Sequence, residues 1–326
     1  MRASEIAERA LLGAILLDHA RLADVQQWLE PADFYAYRHG LVYTEMLELR
    51  RTGQEPTARS VLDRVIPSAE SRRQVDGPYL HTLMESCPHP SRAPIYGRMV
   101  LEASIHRRSA DRATRLGYVA QSECPADVVI DQLGREVDDW KAELQLLEQR
   151  WAQAGEVPTE SAELDIPDSG TQARAVVADA AEISLIASLM ASPWQYEHIK
   201  DWLRPEDFSR HDMRVLYTAI VDVAEHGQPV DGVTVMWAAL RTNGSTDHLN
   251  HEAVARLSQA GVPGYAAVAA REVLEASLRS HTTSTARQLE SVARTAQMRP
   301  PKVMQSVRRE LDGVTFSCQR WSASLA

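Results

Sequence analysis

"WLEPADF" at residues 28–34 and "WLRPEDF" at residues 202–208 agree at five of seven positions, and together they hold two of the three phenylalanines in the chain. Local rules give the phrase a shape. Trp28 and Leu29 close an apolar helical run, and Pro31 turns Glu30 away from helical geometry. Pro31 opens a short turn, Asp33 is an acid suited to a helix start, and Phe34 enters a core before the next helix begins near Arg38. Trp202, Pro205, Asp207 and Phe208 repeat each of these jobs. The versions differ only at residues 30, 32, 204 and 206, which are expected to face solvent. The phrase reads as a structural corner built twice.

Working outward, an offset of 174 residues superimposes the two halves of the chain. Leu11, Leu12, Ile15 and Leu16 fall on Leu185, Ile186, Leu189 and Met190. Val25 falls on Ile199, "LVYTEM" at 41–46 on "VLYTAI" at 215–220, and "GQ" at 53–54 on "GQ" at 227–228. After a one-residue slip, "VLEAS" at 100–104 meets "VLEAS" at 273–277. Self-similarity over this distance marks a duplicated domain.

Each repeat has helical periodicity. Leu11, Leu12, Ile15 and Leu16 form one stripe with Ser4 as the expected N-cap, and "RLADVQQWL" places Leu22, Val25 and Leu29 on one face. Residues 38–51 make a third helix with Val42, Met46 and Leu49 inward. Thr57 and Asp231 are placed to cap "ARSVLDRV" and "GVTVMWAAL". "PYLHTLMES" follows, ended by Pro88 and Pro90. Two longer helices, about 92–121 and 126–150, then form a hairpin broken at "SECPAD", and the second repeat matches it with about 264–297 and 301–318. No segment alternates with a period of two, so the fold class is all-α: two helical bundles, each followed by a helical hairpin. The expected domains are 1–150 and 178–318, with a tail at 319–326. Between them, 151–177 carries five acidic residues and one basic, with Pro, Ser, Gly and Thr and no periodicity, as in a flexible linker.

Composition excludes several function classes. The net charge of −10 is the wrong sign for a general nucleic-acid binder. Cys87, Cys124 and Cys318 are odd in number and widely spaced, so neither a disulfide framework nor a thiolate zinc site is expected, and a reducing, cytoplasmic setting fits. The longest apolar runs, such as "LLGAILL" at 11–17, are too short for a bilayer, and no signal peptide is read. Trp140, Ile199 and Pro301 precede the three lysines, so no Gly-Lys pair ends a P-loop and no ATPase site is expected. No GxGxxG, GxSxG or HExxH occurs, and the pairs His81/His89 and His248/His251 lack metal-site spacing. The chain is therefore read as no enzyme, with no catalytic residue, cofactor or metal. One basic feature stands out: Arg108, Arg112 and Arg115 share a face of the first hairpin helix, with Arg107 beside them. A salt-bridged surface is the preferred reading, and contact with an acidic partner or phosphate backbone the alternative.

The first repeat resembles the N-terminal domain of the replicative DnaB helicase family. "AERALLGAILLDH" at 7–19 matches the family's opening A-E-x-A-x-L-G-A-x-L-L-D. "LEPADFYAYRHGLVYTEMLEL" at 29–49 holds its P-E-D-F-Y-like segment and a His five residues after the Phe, here His39. "YLHTLMES", "IYGRMVLEASIHRR" and "ADVVIDQLGREVDDW" follow in order. The second repeat departs at Ala187, Ser192 and Met213, where the first has Gly13, Asp18 and His39. Helicases of the family follow this domain with a RecA-like motor; here a second version of the domain follows instead. The resemblance thus implies a non-enzymatic replication accessory module that meets helicase, primase or loader through hairpin surfaces. It also implies pairing through hairpins, as an intramolecular pseudo-dimer or a homo-oligomer, with DNA contact indirect. The alternatives are a DNA-binding or regulatory protein that reuses the fold, or a helicase subunit whose motor lies on another chain.

Overall fold

Helix boundaries follow the apolar stripes. The computed structural model describes residues 3–65, 75–155, 176–243, 254, 257, 265–295 and 298–325, among which there is no strand. The first repeat runs α1 (Ala3–Leu17), 3-10 turns His19–Asp24 and Pro31–Asp33, α2 (Tyr37–Arg51), α3 (Ala58–Val65), α4 (Gly77–Glu85) and a 3-10 turn Pro90–Arg92. Its hairpin is α5 (Ala93–Ala120) with α6 (Ala126–Gln153). The second repeat runs α7 (Val176–Ala191), 3-10 turns Pro193–His198 and Pro205–Asp207, α8 (His211–Glu225) and α9 (Gly232–Asn243), then the hairpin α10 (Ala266–Arg294) with α11 (Pro300–Ser324). The all-α class and the two bundles with hairpins are as expected. Most of the 151–177 segment, with His248 and His251, lies outside the described residues.

Two local expectations need correction. Ser4 lies inside α1 and is not its cap. "RLADVQQWL" is no α-helix but a 3-10 turn followed by mixed turns, with bonds such as Trp28 N to Val25 O and Leu29 N to Val25 O. Asp18 starts it early by accepting from Ala20 N, and so short a segment gains little from α geometry. Its apolar residues still face inward, with Leu22 and Val25 fully buried. Thr57 and Asp231 do cap: Ser60 N donates to Thr57 Oγ1, and Val233 N and Thr234 N donate to Asp231 Oδ1.

Contacts divide the chain into two units that do not follow chain order. One holds Met1–Arg112, Trp140–Ile166 and Leu289–Arg308; the other holds Ala113–Asp139, Pro167–Gln288 and Arg309–Ala326. Each unit thus contains one head, the base of that head's hairpin and the tip of the other hairpin. In the first head α1 packs on α4, with Leu11, Leu12, Ile15, Leu80 and Leu83 buried. Gly13 permits that approach, because a Cβ there would collide with the Leu83 carbonyl oxygen. In the second head Leu185, Ile186 and Leu189 of α7 are buried with Leu216, Tyr217 and Ile220 of α8.

The corner phrase packs alike in both heads. Phe34 lies 5.0 Å from the Tyr43 ring and Phe208 lies 4.8 Å from the Tyr217 ring, centroid to centroid. The Tyr43 and Tyr217 hydroxyls each point at the carbonyl of the corner leucine, Leu29 or Leu203, at 3.4 Å. Burial pushes both phenols well above their ordinary range. Residues 30, 32, 204 and 206 are exposed, as the pattern of substitution predicts. No helix among the described residues is long and apolar enough to cross a membrane. Phe34→Ala and Phe208→Ala are each expected to cost about 3–5 kcal/mol, read by denaturant unfolding of the variants; unchanged midpoints would overturn the corner reading.

Candidate functional site: the clamped corner and the arginine face

The aspartate of the corner is its most heavily bonded residue. Asp33 is fully buried. Its Oδ2 accepts from Glu30 N at 2.8 Å and from Arg150, and its Oδ1 accepts from Ser104 Oγ at 2.9 Å and from Arg108 Nη2 at 3.2 Å. Arg150 also donates from Nε to Trp28 O at 2.9 Å. Asp207 repeats this. It accepts from Arg204 N at 2.8 Å, from Ser277 Oγ at 3.0 Å, and from both terminal nitrogens of Arg320 at 2.6 and 3.0 Å. Asp33 and Asp207 are thus anchors for the base of each hairpin, and the helix-start role expected of them is secondary.

Arg150 and Arg320 were not among the residues the sequence singled out. Their signal was present: each is followed by Trp, and "RW" at 150–151 returns at 320–321. The offset there is 170 rather than 174, which hides it from a fixed shift. Glu8 and Glu182 were missed as well, although Glu8 sits in the family's opening motif. Each is buried and accepts two backbone N–H groups beyond the corner: Tyr35 and Ala36 for Glu8, Ser209 and Arg210 for Glu182. These carboxylates serve the starts of α2 and α8, whose own N-cap residues supply no side-chain bond.

Around that frame the repeats differ. In the first, Glu8 Oε2 lies 2.6 Å from His39 Nδ1, and His39 Nε2 lies 2.6 Å from the Tyr79 hydroxyl. This carboxylate–imidazole–phenol string has the order of a proton relay, but the imidazole is fully buried. Arg38 covers the Tyr79 ring, and burial raises the Tyr79 phenol instead of activating it. The string ties α1, α2 and α4 together. Met213 replaces His39 in the second repeat, where Glu182 bonds the Ser209 hydroxyl instead. Exposed surfaces also diverge: Arg59 and Asp63 on α3 form a solvated ion pair, whereas their counterparts on α9 are the exposed Val233 and Trp237.

The four arginines of the candidate face are engaged within the chain. Arg107 donates to Asp33 O at 3.0 Å and lies over the Tyr35 ring. Arg108 bridges Asp33 and Glu143, and Arg112 donates from Nε to Glu143 Oε2 at 2.8 Å. Arg115, in the other unit, pairs with Glu136 at 2.6 Å. These partners lie on the corner and on α6. Guanidinium groups bound to carboxylates have less charge to offer a phosphate backbone. Among the described residues no three His, Cys, Asp or Glu side chains gather as a metal site requires.

A duplicated head, a corner clamped to its hairpin and hairpin tips bonded across the repeats make up the architecture. Comparison with known proteins places it in a family. The family described as the DnaB-like helicase N terminal domain matches residues 1–102 and again 177–275. The chain belongs to that family. Its curated relatives include the replicative DNA helicase DnaB of Mycobacterium leprae, 33% identical over 136 residues, or 41% of this chain and 22% of the helicase. That of Leifsonia xyli is 33% identical over 36% of this chain and 26% of its own length, and that of Geobacillus stearothermophilus 32% over 40% and 29%. The chain therefore spans between a fifth and a third of these helicases. Among solved structures, the N-terminal domain of DnaB helicase from Mycobacterium tuberculosis aligns with 32% identity and a TM-score of 0.39, covering 41% of this chain and 96% of that one.

The clamp is testable as a buried ion pair. Arg320→Met alone is expected to cost about 3–5 kcal/mol, because it strands the Asp207 carboxylate. Arg320→Met with Asp207→Leu is expected to recover most of that loss in urea unfolding. A double variant as unstable as the single one would show that Asp207 is held by something else.

Proposed function

We propose that this chain is a non-enzymatic replication accessory protein of the cytoplasm, a doubled collar-type module that engages a DnaB-type helicase, its primase or its loader. The observation that carries the reading is the double family match, to 1–102 and to 177–275, against relatives matched over less than a third of their length. What the family carries once, this chain carries twice. The side chains that recur in both repeats, Asp33 with Arg150 and Asp207 with Arg320, serve to fix a hairpin to a head. They are parts of a platform and not of a reaction centre. The in-chain pairing of Arg107, Arg108, Arg112 and Arg115 favours a protein partner over a direct grip on DNA.

Full-length protein, immobilised and exposed to the replicative helicase, primase and loader of its own host, is expected to retain at least one of them at micromolar concentration. Retention of none would overturn the proposal. A helicase assay with the retained partner then separates recruitment from blocking, because a recruiter raises and a blocker lowers strand separation.

A further inference from the structure

The two hairpins touch each other within each unit, and the contacts differ between units in a way that the repeat makes legible. The first hairpin helices align with an offset of 173, as "VLEAS" shows, and the second with an offset of 170, as "RW" shows. In the first unit, His106 of α5 places Nδ1 2.8 Å from Ala293 O and Nε2 3.0 Å from Met298 O, at the tip of the second hairpin. The equivalent residue in the second unit is Arg279. It donates to the carbonyls of Ala120, Ser122 and Cys124 at 3.3, 2.6 and 2.9 Å, at the tip of the first hairpin. Each side chain reaches one carbonyl in the last turn of a helix, Ala293 O or Ala120 O, and further carbonyls in the connection that follows it.

The second helices oppose each other just as unequally. Arg308 of α11 donates to Glu148 of α6 at 2.7 Å in the first unit. The repeat equivalents of that pair are Asp138 and Cys318, and in the second unit burial and the Asp138 charge push the Cys318 thiol up to about 11. On the first helices, a Cβ at Gly117 would stand 3.2 Å from the Ala286 Cβ, and the equivalent of Gly117 is Glu290.

These contacts cannot be exchanged between like hairpins. Two first hairpins, paired in the same register, would set Asp138 against Glu148 twice, a like-charge contact. They would also give an imidazole with two nitrogens a tip that presents three carbonyls. Two second hairpins would leave Arg308 opposite a thiol and bring Glu290 to the place where Gly117 clears Ala286. Only the mixed pair satisfies every position.

We propose that residues 106, 138, 279 and 308 are specificity determinants that match the two hairpins to each other, so the chain pairs its own hairpins and does not exchange them with another copy. The tether between the repeats adds an effective concentration of roughly millimolar to that preference. Nothing in the matching depends on what the heads bind.

The test uses the full-length chain bearing two different affinity tags, mixed at high concentration, with sedimentation to give mass and amide exchange to follow residues 118–124 and 291–295. The natural sequence is expected to sediment as one chain with no co-capture of tags. Arg279→His with Arg308→Asp gives the second hairpin two residues of the first. It is expected to yield mixed-tag complexes, or tip exchange faster by about tenfold, the scale of one lost charge-assisted hydrogen bond. Glu148→Arg with Arg308→Asp reverses the ion pair and is expected to exchange more slowly than Arg308→Asp alone, which separates matching from misfolding. Co-capture by the natural sequence overturns the proposal. So does an unchanged R279H/R308D variant, or an E148R/R308D variant no better than R308D.

Discussion

A carboxylate without water demands partners, and that demand organises both heads. Asp33 and Asp207 are buried at the turn that follows a tryptophan-leucine pair. An ionised group in that position is tolerated only when donors surround it. The donors are drawn from three places: the turn's own backbone, a serine on the first hairpin helix, and an arginine near the end of the second. Satisfying one side chain therefore fixes two helices against a head. Apolar packing alone would permit a hairpin to slide along its seam; a set of directed bonds to a single carboxylate does not.

What differs between the repeats is as informative as what recurs. The recurring parts are the corner, its arginine and the buried glutamate. The first repeat adds a polar interior, with Glu8, His39 and Tyr79 in line, and a second layer in which Glu143 joins Arg108 to Arg112. The second repeat has Met213 in place of His39 and, on the hairpin, His281 and Thr285 in place of Arg108 and Arg112. It keeps the minimum needed for the same geometry. Freed from a common interior, the two surfaces have diverged, to an ion pair on α3 and to exposed Val233 and Trp237 on α9.

The fold was largely legible in the sequence because its signals are local. Apolar residues at helical spacing gave α1, α2 and both hairpins, and the substitutions at 30, 32, 204 and 206 marked the exposed side of the corner. The stretch around Trp28 misled because an apolar stripe has nearly the same spacing in a run of mixed turns as in a helix, and only the hydrogen bonds tell them apart. The clamp was illegible for a different reason. Asp33 and Arg150 are 117 residues apart, and no local rule links an acid in a turn to an arginine in a distant helix. The arginine face and its salt-bridged character were legible along one helix, but Glu143 and Glu136 lie on the neighbouring helix, 31 residues from Arg112 in the first case, so no local rule names them as partners.

Separation along the chain also sets an order of events during synthesis. The corner of the first head is made early, but its arginine arrives 117 residues later, and His106 meets Met298 only after 192 more residues have been added. At ribosomal rates of about 5–20 residues per second, the second interval lasts roughly ten to forty seconds. Once its second helix is made, and for most of that interval, the first hairpin stands without its matched mate while neighbouring ribosomes on the same message present identical hairpins. A charge pattern that repels like from like then acts before the native structure exists. It protects the nascent chain as well as the finished one.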